Sequence, residues 1–191
     1  MSSLIERAAL RLEQLRNTGV DLEAVGIRAP VESALHVASP RKSKSVEVDV
    51  AALARAGFVT PASPRTAIAD EFRIIKRPLI MNAAKPSSSE RPRPNLIMVT
   101  SALPGEGKTF TAVNLAMSMA AELDHAVLLV DADVRRPSVL RTLGLPPSPG
   151  LLDVLLDPSI ELADVLLKTN VDRLTLLPSG TPHERATELL A

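Results

Sequence analysis

The feature that most constrains the fold is the stretch 95–109, Asn-Leu-Ile-Met-Val-Thr-Ser-Ala-Leu-Pro-Gly-Glu-Gly-Lys-Thr. Leu96 to Val99 have the length and branching of a buried strand, and apolar residues recur at helical spacing from Phe110 to Leu123. A glycine-bearing loop between strand and helix predicts a phosphate-binding loop. Gly105 and Gly107 lack a Cβ, so the backbone can fold around a polyanion with its N–H groups pointing inward. The helix start beside Lys108 adds partial positive charge. Lys108 can then reach terminal phosphates, and the Thr109 hydroxyl suits Mg²⁺, which prefers oxygen ligands. Pro104, Gly105, Glu106, Gly107, Lys108, Thr109 and Phe110 are the candidate nucleotide contacts of this loop. Ala102 stands where the common pattern G-x-x-x-x-G-K-[ST] has glycine. A methyl group is the smallest departure possible there. The competing reading is a polar turn without a ligand.

A second motif lies one helix and one return strand further on, Val127-Leu128-Leu129-Val130-Asp131-Ala132-Asp133-Val134-Arg135-Arg136-Pro137. An apolar strand would deliver Asp131 to the carboxyl edge of a parallel sheet, where open α/β folds bind their ligands. Asp131 and Asp133 suit a division of labour: one carboxylate holds Mg²⁺ with Thr109, the other polarises an attacking hydroxyl. Arg135 and Arg136 can pair with phosphate or with these acids. A solvated acidic turn is the plainer alternative.

Together the two motifs resemble the Walker A and Walker A′ motifs of the bacterial protein-tyrosine kinases (BY-kinases) of exopolysaccharide production. Partitioning-type ATPases are similar but carry a signature lysine where this chain has Leu103. Asp70-Glu71-Phe72-Arg73-Ile74-Ile75-Lys76 resembles the family's E-x-x-R-x-x-R oligomerisation helix, and simple amphipathic packing is its other reading. Leu176 to Pro182 and Thr187-Glu188-Leu189-Leu190-Ala191 are similar to the family's glycine-containing loop and T-E-L-L-A stretch. Ser3 to Ala9 resembles the soluble subgroup encoded with exosortase-type loci. The resemblance implies a P-loop NTPase-type α/β fold, a parallel sheet flanked by helices. It implies ATP and Mg²⁺ as cofactors and Lys108, Asp131 and Asp133 as catalytic residues. The implied partners are other kinase subunits, gripped through Asp70, Arg73 and Lys76, and a membrane polysaccharide chain-length regulator. Family members continue into a strand with a Walker B acid and a tyrosine cluster. No apolar run ending in Asp follows Asp131 here, so the expectation is a fragment, with an incomplete sheet and weak or absent activity alone. A regulatory ATPase of the partitioning type, or a non-catalytic module binding a full-length kinase, are the alternatives.

Twenty-two basic against 22 acidic residues in 191 give no net charge and no argument for nucleic acid as a partner. The absence of cysteine excludes a disulfide framework and thiolate metal sites. No run approaches the roughly 20 apolar residues of a membrane helix, and the amino terminus lacks a signal peptide's apolar core. A cytoplasmic protein is expected. His36, His125 and His183 are too scattered for a metal site. Three Phe are the only aromatic residues besides these, with no Tyr or Trp.

Three regions are expected. Residues 1–60 comprise an amphipathic helix over 2–17 and a linker with local order only near Val46 to Leu53. Residues 61–94 hold a helix from Pro64 to about Ala84, which Pro78 kinks or ends, and a Ser/Pro linker. Residues 95–191 form the nucleotide-binding domain, with short helices near 138–143, 150–156 and 161–167 and a strand over 174–177.

Overall fold

The computed structural model describes residues 43–61, 66–87, 93–122 and 124–189. The expected amphipathic helix over 2–17 lies outside them. The first described element, β1 (Lys44–Val46), and the helix α1 (Val50–Arg55) fall where a linker was expected. They belong to the core instead. Asp49 caps α1 by accepting the Ala52 N–H at 2.8 Å, and Val48 and Leu53 are buried in the main cluster. The link that secures them is remote in sequence: the Asn170 amide accepts from Val48 N–H (2.9 Å) and donates to Val48 C=O (3.1 Å).

Helix α2 (Ala67–Ala83) starts at Thr66, whose hydroxyl accepts the Ala69 N–H at 3.2 Å. Pro78 does not end it. The carbonyl that loses its donor belongs to Ile74, a residue 72% exposed, so solvent is at hand to replace the bond. The inner face of α2 presents Phe72 to α3 (Lys108–Ala120), forming a cluster with Val59, Leu115 and Met119. From Val113 to Ala120 every residue of α3 is buried, between α2 on one side and the sheet on the other. Each large apolar side chain buried here contributes about 1.5–3 kcal/mol. Two of these residues are polar, Asn114 and Ser118, and the Asn114 amide is satisfied: it accepts the Val59 N–H (2.6 Å) and donates to Phe110 C=O (2.8 Å).

The sheet is completed by β2 (Val127–Val130), β3 (Leu167–Thr169) and β4 (Leu174–Leu177), in the order β1-β3-β4-β2. It is mixed, which corrects the expectation of a parallel sheet. β1 runs parallel to β3 and β2 parallel to β4, but β3 and β4 are antiparallel. Their connection is too short for a crossover helix. It turns through Arg173, whose φ of 63° is the one positive value at a non-glycine among the described residues. The Thr169 hydroxyl, with one proton to give, lies within hydrogen-bond reach of the Val171 and Leu174 carbonyls in this turn. Where a helix over 161–167 was expected, only α6 (Leu162–Val165) is helical and Leu167 opens β3. Ahead of it, α4 (Val139–Thr142) ends at Gly144 (φ 71°) and α5 (Leu151–Leu156) follows, as the spacing predicts. The last described element is α7 (Ala186–Leu189).

The second correction concerns Leu96–Val99, which pairs with no strand among the described residues. The segment keeps an alternating burial pattern: Ile97 packs on the Phe72 cluster while Leu96 and Met98 are 72% and 82% exposed. An apolar run becomes a strand only where a neighbour offers hydrogen bonds. Among the described strands β2 has β4 on one edge and none on the other.

Candidate functional site

The phosphate-loop reading makes a backbone demand that the structure meets. Gly105 and Gly107 adopt φ of 85° and 90°, and Gly107 caps α3 without any side-chain hydrogen bond. No atom lies within 4 Å of a Cβ built on either glycine, so conformation, not crowding, selects them. Ala102 has no positive φ, and its methyl group is accommodated. The first helical bond runs from Thr111 N–H to Gly107 C=O (2.8 Å). The N–H groups of Lys108, Thr109 and Phe110 precede it and have no carbonyl a turn earlier within the helix.

The loop is braced from within. Glu106 accepts the Leu103 N–H at 2.9 Å, and this bond holds its carboxyl below the usual glutamate range. Lys108 Nζ donates to Ser101 Oγ (3.1 Å), and Ser101 Oγ donates to Leu103 C=O (3.0 Å). Phe110, a candidate nucleotide contact, has its ring against Phe58, with centroids 4.9 Å apart.

Asp131 arrives from β2. Its N–H donates to Leu177 C=O at 2.9 Å, extending the β2–β4 ladder by one residue and fixing the acid at the strand's carboxyl end. The side chain is buried, at 5% exposure, and Oδ2 accepts two backbone N–H groups, from Ser138 (3.0 Å) and Val139 (2.9 Å). Its other oxygen meets only the Asp133 N–H, at 3.3 Å. Asp133 is exposed and accepts the Arg136 N–H at 3.1 Å. Pro104, Lys108, Asp133, Arg135 and Arg136 line one cavity of about 420 Å³, a usual size for a small-molecule site. Thus the two motifs meet at one crevice. Arg135 also lines a second cavity of about 480 Å³ with Val134, Pro182, His183, Glu184 and Thr187.

Sequence reasoning missed Ser101 and Ser138. Ser138 Oγ lies 2.6 Å from Thr109 Oγ1 and so joins the two motifs. The available signal was a serine directly ahead of the short Val139–Thr142 helix, a capping position. The loop after β4 is anchored on α5: Leu151 and Leu152 donate to Pro178 and Ser179 carbonyls at 2.8 and 2.9 Å. Asp153 accepts from Gly150 N–H (2.7 Å) and Thr181 N–H (3.0 Å). Burial pushes the Asp153 carboxyl up, but the Thr181 hydroxyl, together with these backbone bonds, outweighs it and holds the group low.

The expected subunit-contact residues separate into two kinds. Asp70 and Arg73 pair with each other at 2.7 Å on the half-exposed face of α2. Lys76 turns inward at 6% exposure, donating to Ser118 C=O (2.7 Å) and pairing with Glu122 (2.6 Å). An outward trio is therefore reduced to a pair. The reason is position: Lys76 lies one turn past Phe72 on the packed face.

Fold and loop define the class: an α/β domain of the P-loop type. No family model matches the chain. It is 41% identical over 95 residues to the tyrosine-protein kinase YwqD of Bacillus subtilis, covering 50% of this chain and 39% of that one. It is 30% identical over 159 residues to the succinoglycan biosynthesis transport protein ExoP of Rhizobium meliloti, covering 82% of this chain and 19% of that one. The tyrosine-protein kinase CpsD of Streptococcus agalactiae is 35% identical over 95 residues, with 50% and 41% covered. Among solved structures, the chimerical protein CapA2B2 superposes with a TM-score of 0.58 at 26% identity, covering 78% of this chain and 59% of that one. The relatives named tyrosine-protein kinases match the resemblance of the two motifs to the bacterial protein-tyrosine kinases (BY-kinases). It matches about two-fifths or less of the length of these three curated relatives.

Proposed function

We propose that this chain is the nucleotide-binding portion of an ATP-dependent protein-tyrosine kinase acting in exopolysaccharide synthesis or export, on the cytoplasmic side of the membrane. The observation that carries the reading is the convergence of Lys108 and Asp133 on one cavity, beside Thr109 and the buried Asp131. The names of YwqD, CpsD and ExoP support the activity and the pathway. Among the described residues no helix is long and apolar enough to cross a membrane. Recruitment by a membrane chain-length regulator, and contact with other kinase subunits through the Asp70–Arg73 face, complete the proposal.

The residues fit Mg·ATP by their chemistry. Lys108 can exchange its Ser101 contact for phosphate oxygens, and the first-turn N–H groups of α3 face the same anion. Thr109 Oγ1 and the less engaged oxygen of Asp131 would hold Mg²⁺, whose part is to neutralise charge on the phosphates. Among the described residues no three His, Cys, Asp or Glu cluster into a metal cage. This suits an ion that takes one or two carboxylates and completes its shell with phosphate and water. Asp133, exposed at the cavity wall, would accept the proton of an acceptor hydroxyl while Arg135 and Arg136 steady the transferred group. These 191 residues include no tyrosine, so the acceptor hydroxyl lies outside them.

The test is titration with Mg·ATP followed by phosphotransfer to an added tyrosine-rich peptide. Lys108→Met should weaken binding about 10- to 100-fold, the worth of a charge-assisted hydrogen bond. Binding equal to that of the parent, or a parent that ignores ATP, would remove the proposal.

A further inference from the structure

Ser138 sits where a serine normally caps its own helix, yet its side chain makes no capping bond to α4. That task has passed to Asp131, whose Oδ2 takes the N–H groups of both Ser138 and Val139. The Ser138 hydroxyl is spent on Thr109 instead, at 2.6 Å, across 29 residues of sequence. Three elements are thereby tied at one point: the first turn of α3, the end of β2 and the start of α4.

We infer that Ser138 is a positioning residue of the phosphate site, fixing the direction of the Thr109 hydroxyl for a divalent cation. The inference rests on the nucleotide reading above and extends it to a residue that neither motif contains. A threonine hydroxyl carries one proton and two lone pairs. To serve a cation its lone pairs must face the ion, so its proton must be given elsewhere. Either hydroxyl of the pair can donate, and with a cation on Thr109 the Ser138 Oγ is the acceptor within reach of that proton. Its own position is set by the buried Asp131 carboxylate through the backbone, so replacing the hydroxyl leaves the anchoring bonds intact. An isolated threonine would spread its proton over three staggered positions. Held by Ser138, it is preorganised, as outer partners commonly orient the groups that touch a metal.

The experiment titrates the parent, Ser138→Ala and Ser138→Thr with a fluorescent ADP, once with Mg²⁺ and once with EDTA. The expected result is a parent that binds tighter with Mg²⁺. Ser138→Ala should lose roughly tenfold of that gain, the low end for outer partners of metal ligands, with its EDTA affinity unchanged. Ser138→Thr should restore the gain. Combined with Thr109→Ala, Ser138→Ala should add no further loss, because the two act as one unit. Thermal melting checks that Ser138→Ala folds, and Ser138→Cys, close in volume but without the hydroxyl, supplies a second reading. A Ser138→Ala protein with the full Mg²⁺ gain, or with an equal loss in EDTA, overturns the inference while leaving nucleotide binding standing. A parent without any Mg²⁺ gain overturns both.

Discussion

Leu96-Ile97-Met98-Val99 and Val127-Leu128-Leu129-Val130 are two apolar runs of the same length, each leading into a candidate phosphate-site loop. One is a strand and the other is not. Val127–Val130 has β4 alongside, and the ladder extends beyond both ends, from Val127 N–H to Arg173 C=O and from Asp131 N–H to Leu177 C=O. Leu96–Val99 has an inward-facing Ile97 but no ladder among the described residues. Apolar content draws both segments to the body of the protein. Hydrogen-bonding partners decide which becomes part of the sheet.

The largest effect should come from the paired segment. Leu129→Ala opens a cavity in the main cluster and should cost about 2–4 kcal/mol in denaturant unfolding. Ile97→Ala, in the unpaired segment and only partly buried, should cost about 1–2 kcal/mol. Equal losses at the two sites would break the comparison. Amide exchange sharpens it: the Val127 and Asp131 protons should be protected, and those of Ile97 and Met98 should exchange near the rate of open loops.

The Lys76–Glu122 pair ties α2 to α3 beside the cluster under Ile97. The Lys76 hydrogen bond and charge hold the Glu122 carboxyl below its ordinary value of 4.5. A folded value lowered in this way adds stability above about pH 4.5, which fades as pH falls through the folded value. Glu122 is half exposed, so solvent reduces the effect to less than about 1 kcal/mol. Acid titration of Glu122→Gln should show that fraction of the parent's acid sensitivity missing, and an identical profile would refute it. The smallest effect belongs to Met98→Ser, within about 0.5 kcal/mol by thermal melting, because Met98 is exposed.

What was legible in the sequence follows the range of the interactions. The turn chemistry of Gly105 and Gly107 and the stop of α4 at Gly144 depend on neighbours within a few residues, and both appear as read; Asp131 also arrives on β2 as read, although the partner strand β4 lies more than forty residues on. β1 was not legible, because Asn170 holds the adjoining Val48 from 122 residues away. The antiparallel turn at Arg173 was hidden for a different reason: no glycine marks its positive φ. Ser138 escaped because its position advertises a cap while its hydroxyl serves Thr109. Lys76 carried a charge pattern that suggested an outer surface, and its spacing from Phe72 placed it inside.

Gly150 carries a consequence of its own. A Cβ built there would collide with Pro178 O and stand 2.7 Å from Gly180 N. Backbone touches backbone at that point, with no tolerance for the smallest added carbon. The position is therefore a molecular keyhole that admits one amino acid of twenty, and any replacement must prise the segment after β4 away from α5.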